Sequence, residues 1–151
     1  MKLAEALLVR ADMKKKLASL RERVASNAVV QQGEKPHEDP MALMKIANGV
    51  LDELETLALR IDVANMSTKL ADGRSLAKLI AQRDKLAQQH SMIQVAIAGT
   101  RKEPDRYSMK EIKWTATVNV AGLQKQSDDL SKKLRELNVQ IQEANWRVEM
   151  E

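Results

Sequence analysis

From Val120 to Val148 the chain sets Val120, Leu123, Ser127, Leu130, Leu134, Leu137, Ile141, Ala144 and Val148 three and four residues apart without a break. Such spacing returns to one face of an α-helix, whereas on a strand it would scatter over both faces. Three further stretches repeat the pattern. Leu3, Ala6, Arg10, Met13, Leu17, Leu20 and Val24 form one seam, and Leu76, Leu79, Arg83, Leu86, His90, Ile93 and Ile97 another. Between them lies the seam of Met44, Ala47, Leu51, Leu54, Ala58, Ile61 and Asn65, with Leu43, Val50, Leu57 and Ala64 as a second apolar column beside it. That helix is apolar over more than one partner helix can cover, so the second column is a candidate oligomer interface.

The breaks support this division. Gly33, Pro36 and Pro40 interrupt any helix after Asn27, and Asp39 before Pro40 has the chemistry of an N-cap followed by a first-turn proline. Asp72-Gly73 is a turn with Ser75 as a candidate cap beyond it, and Gly99 and Asn119 bound the last long connection. Helices are therefore expected over about 2–25, 40–68, 75–98 and 120–146 of one helical domain, 1–151. A period of two interrupts the pattern once, where Ile112, Trp114, Ala116 and Val118 alternate with polar residues across 111–118. A strand needs a partner for its backbone groups. The other β-like stretch is 27–32, so Val29 and Val30 are expected to pair with Ile112 and Trp114. The expected fold class is mainly α: a long-helix antiparallel bundle or coiled coil of about four helices with a small two-stranded β element.

Composition narrows the function classes. The 151 residues include no cysteine and no phenylalanine, and 30% are charged. Without cysteine there are no disulfides, thiolate metal sites or cysteine nucleophile, which fits a reducing compartment, and a cytoplasmic location is expected. The start, MKLAEALLVR, carries Glu5 and Arg10 inside its apolar stretch and reads as helix rather than signal peptide. The charge-free run from Leu86 to Thr100 is too short and too polar to span a bilayer. Charge alternates along the chain: residues 1–25 hold seven basic and three acidic groups, 32–65 three and seven, 69–113 ten and five, 119–151 five and six. Neighbouring helices of opposite sign account for such blocks, within or between subunits.

The chemistry-bearing candidates are few. Arg10, Asn65, Arg83 and His90 are polar members of otherwise apolar seams, where they fix register and association state. Alternatively Arg83 and His90, two turns apart on one column, line a polar pocket for an anion, a metal or a proton transfer. His37, Glu38 and Asp39 cluster in a loop and Asp52, Glu53 and Glu55 on the second helix, but neither spacing demands a metal. Neither a Gly-flanked serine nor a phosphate-cradling loop occurs. In TRKEPDRYSMKEIKW, Arg101, Lys102, Arg106, Lys110 and Lys113 stand near Tyr107 and Trp114, but Glu103, Asp105 and Glu111 dilute the charge. Neither nucleic acid nor a membrane is an expected partner. No catalytic residue, cofactor or metal is assigned.

The opening MKLAEALLVRADMKKKLASLRERVASNAVVQQGEKPHEDP, the segment LADGRSLAKLIAQRD and the stretch DRYSMKEIKWTATVNVAGLQKQSDDLSKKLRELNVQIQEANW resemble, in order and spacing, a family of small bacterial proteins often labelled septicolysin. The resemblance spans essentially the whole chain and brings no catalytic motif. It implies a helical fold, a tendency to oligomerise and an unassigned function, and its label implies a membrane-lytic activity. The leading expectation is a self-assembling structural or interaction module without catalysis, partnered by further copies of itself as a dimer or a larger ring such as a hexamer.

Overall fold

Local chemistry sets where the helices begin. The Asp39 side chain accepts a hydrogen bond from the Met41 backbone N–H at 3.0 Å, with Pro40 in the first helical position. Asn119 does the same for the Gly122 N–H at 3.0 Å, and the Glu5 carboxylate accepts from the Lys2 N–H at 2.7 Å. The structure, a computed structural model, describes residues 1–101 and 112–151. Among them run four helices, α1 (Leu3–Asn27), α2 (Pro40–Ser67), α3 (Leu76–Gly99) and α4 (Val120–Arg147). Their ends lie within two residues of those expected, and α2 passes through Asn48-Gly49 unbroken.

Contacts divide the chain into two compact units, Met1–Leu76 with Gln142–Glu151, and Ala77–Ile141. In the first unit α1 and α2 form a hairpin. Asn27 pins its connection, donating through Nδ2 to the Arg23 carbonyl at 2.8 Å and accepting through Oδ1 from the Glu38 N–H at 3.1 Å. Leu3, Ala6 and Leu20 of α1 and Leu43, Val50, Leu57, Ile61 and Ala64 of α2 are buried. Each fully buried leucine or isoleucine contributes about 1.5–3 kcal/mol of transfer free energy, which makes this column the main stabilising feature of the hairpin. The segment after α4 runs antiparallel to the first residues. The Leu3 N–H donates to the Val148 carbonyl at 3.0 Å and the Met150 N–H to the Met1 carbonyl at 2.9 Å. KLADGRS closes as a turn in which Gly73 adopts a φ of 83°, and the Leu70 N–H donates to the Arg74 carbonyl at 2.9 Å.

The expected β element is not formed among the described residues. Instead, isolated bridges join Lys2 to Glu149 and Lys69 to Ser75. The reason lies in what each stretch offers a partner. Helix α1 absorbs Asn27, and a turn from Gln31 to Glu34 with Gly33 at φ 90° follows. That leaves Val29, 81% exposed, and Val30 no straight edge on which to build a ladder. Ile112 and Trp114 are likewise exposed. Residues 114–118 line a groove of about 250 Å³ with Ala96, Gly99 and Thr100 at the end of α3. Glu111, the first residue of the expected strand, lies outside the described residues.

Candidate functional site

In the second unit α3 and α4 face each other through a polar layer. His90 and Gln94 stand one turn apart on α3, and Ser127 and Ser131 one turn apart on α4. The His90 Nε2 lies 3.1 Å from both Ser127 Oγ and Ser131 Oγ, and Gln94 Nε2 donates to Ser127 Oγ at 2.6 Å. Ser127 is 2% exposed, Ser131 is exposed and His90 half-buried, so the layer runs from interior to solvent. Buried polar groups are tolerated when each finds a partner, and here Ser127 has two.

The pocket expected around Arg83 and His90 divides into two separate sets of contacts. The Arg83 guanidinium reaches along its own helix to Asp84 Oδ1, at 2.9 and 3.1 Å, while His90 turns to the two serines. Arg10 and Asn65 are half-buried on α1 and α2. Glu38 is held by Arg23, and Asp39 caps α2. Among the described residues no group of three His, Asp or Glu side chains stands together as a metal site requires. Of the basic and aromatic stretch, Lys102, Arg106, Tyr107 and Lys110 lie outside the described residues.

Two features escaped the sequence reading. Ser131 and Gln94 complete the polar layer, and their signal was available: each stands four residues beyond a seam residue, Ser127 or His90. Asn145 had no such signal, because it sits one place off the seam beside Ala144. Its side chain is buried, and its Oδ1 accepts no hydrogen bond.

The surface of α2 is the other notable feature. Leu43, Val50, Leu57 and Ala64, the column read as an oligomer interface, are buried inside the chain. Met41, Met44, Leu51, Leu59, Val63 and Met66 remain exposed, Val63 by 68% and Met66 by 65%. At about 100° per residue Met41, Leu59, Val63 and Met66 fall on the side of α2 opposite its buried column, and Met44 and Leu51, next in sequence to Leu43 and Val50, on its flank. Asn48, Asp52, Glu55 and Asp62 flank or interrupt the stripe. At its C-terminal end Leu59, Arg60, Val63 and Ala64 border a groove of about 530 Å³ closed by Val148 to Glu151. Arg60 donates there to the Glu151 carbonyl from Nε at 3.0 Å and Nη2 at 2.7 Å. Lys2, with the Met1 amino group, holds the Glu149 carboxylate below the ordinary glutamate range at the same end of the hairpin.

Comparison with known proteins adds kinship. The model of a family of unknown function, DUF6847, matches residues 10–150. A crystal structure described as a functionally unknown conserved protein from Corynebacterium diphtheriae is similar at 30% sequence identity and a TM-score of 0.88, covering 100% of this chain and 99% of that one. No curated protein matches. Neither description carries the septicolysin label. Among the described residues no helix is long and apolar enough to cross a membrane.

Proposed function

We propose that this chain, which belongs to the DUF6847 family, is a cytoplasmic self-assembling module that lays the outward stripe of α2 against another copy and works by interaction rather than catalysis. The exposed stripe opposite the buried column carries this reading. Large apolar side chains left exposed opposite a buried column, at Met41, Leu59, Val63 and Met66, suit contact with a further surface. Leu59, Val63 and Met66 alone would each gain about 1.5–3 kcal/mol if fully buried, before the costs of association.

The seams of α1 to α4, spaced three and four residues apart, suit near-parallel packing of long helices in a bundle or coiled coil.

Light-scattering mass over a concentration series tests the reading. The wild type should run above monomer mass, and Val63→Glu should lower the mass while leaving helical circular dichroism unchanged. A wild-type monomer at every concentration sinks it.

One observation favours a second reading. Ser131 is an exposed hydroxyl 3.1 Å from a histidine nitrogen, the pairing that activates a serine nucleophile. Labelling by a fluorophosphonate that Ser131→Ala abolishes would support a hydrolytic or acyl-transfer site. An unlabelled wild type rejects it.

A further inference from the structure

The second unit carries a face that the stripe of α2 does not include. On one side of the α3 and α4 pair, Gln88, Gln89, Met92 and Ile93 of α3 and Gln126, Asp129, Leu130 and Lys133 of α4 line a groove of about 590 Å³. Its apolar members are incompletely covered: Met92 is 72% exposed and Ile93 and Leu130 are half-buried. The remaining members are three amides, one acid and one base. Asp129 and Lys133 are both exposed and stand one turn apart on α4. That is the spacing at which an acid and a base commonly pair within a helix. Here the ion pairs among the described residues do not include either of them.

We infer that this groove docks the same groove of a second copy across a two-fold axis level with Ser131, antiparallel along α4, so that Asp129 of each subunit meets Lys133 of the other. An isologous interface demands a surface complementary to itself. An acid and a base four residues apart satisfy that demand, because a two-fold halfway between them brings each opposite the other's counterpart. The amides satisfy it too, since each carries a donor and an acceptor. The hydrogen bond between Ser131 and His90 sets His90 level with Ser131, which puts Gln89, its chain neighbour, beside the same axis, with its own symmetry mate as partner. Met92, Ile93 and Leu130 then supply the apolar floor and the charges the rim, the arrangement common in stable interfaces. A basic or acidic peptide would match only one of the two charges, which favours a second copy as occupant. Two self-complementary faces on one chain, this groove and the stripe of α2, allow assemblies larger than a dimer.

Charge reversal tests the contact directly. Sedimentation velocity should show Asp129→Lys and Lys133→Asp each at about half the wild-type mass, because like charges then face each other across the axis. An equimolar mixture of the two variants should recover the wild-type mass, since each presents to the other the charges it lacks. The double variant Asp129→Lys/Lys133→Asp should also recover it. Unchanged mass in the single variants, loss without recovery on mixing, or a monomeric wild type would each overturn the proposal. Val63→Glu, the test of the α2 stripe, lies in the other unit. Unchanged mass in Val63→Glu, which would remove the α2 stripe from the account, would therefore leave the recovery on mixing intact.

Discussion

Arg23 grips Glu38 across the α1–α2 connection, its Nε donating to Oε2 at 2.9 Å while Nη2 reaches Oε1. The hydrogen bonding, more than the charge itself, holds the Glu38 carboxylate below the ordinary glutamate range. Arg74 acts on Asp72 in the same sense, and Lys2 on Glu149. A carboxylate whose pKa is depressed by folding stabilises the fold fully above its unfolded value, and that contribution fades as pH falls through the lower folded value. The melting temperature should therefore drop with acid from about pH 4.3 downward. In Glu38→Gln the drop should be shallower, and at pH 7 the variant should melt slightly below wild type. An identical acid limb in the variant would remove Glu38 from the account.

Ile61 is 1% exposed on the buried face of α2, toward its C-terminal end. Ile61→Ala should cost about 2–5 kcal/mol in urea unfolding, the range for a buried branched aliphatic truncated to alanine, with little change in slope. Met66→Ala, on the exposed side of the same helix, should change monomer stability by less than about 0.5 kcal/mol. Similar losses at the two sites would mean the faces of α2 are assigned wrongly.

Asn145 buries an Oδ1 that accepts no hydrogen bond. An orphaned polar group costs about 1–3 kcal/mol relative to one that is satisfied, so Asn145→Leu, which keeps the branched shape, should raise the melting temperature. A lowered melting temperature would show that the amide has a structural task.

The polar layer should respond in a set order. Ser127→Ala leaves Gln94 and His90 each short of a buried partner and should cost about 1–2 kcal/mol, whereas Ser131→Ala, exposed to water, should cost less than about 0.5 kcal/mol. Thermal melts of the two variants check the order. The reverse order would place the structural weight on the solvent side of the layer.

Much of the local architecture was legible, because helix formation is decided over a few residues. The spacing of apolar side chains, Asp39 before Pro40, Asn119 before Val120 and Gly73 in its turn each act within one turn of chain. The polar layer was legible in part. His90 and Ser127 stood in their seams, but which atoms they would meet depended on how α3 and α4 are aligned.

Two expectations required information that no local pattern holds. Residues 112–118 alternate as a strand does, yet alternation describes only the side chains. The ladder needs a second backbone within hydrogen-bond distance, and 27–32 turns away at Gly33 before it can supply one. Helix α2 posed the same problem in another form. Its sequence sets two apolar columns side by side, so helicity and amphipathicity were determined by the residues alone. Which face became the core, Leu43, Val50, Leu57 and Ala64 rather than Met44 and Leu51, was decided by where α1 packed. Burial is a property of pairs of surfaces, and a single helix carries only one member of the pair.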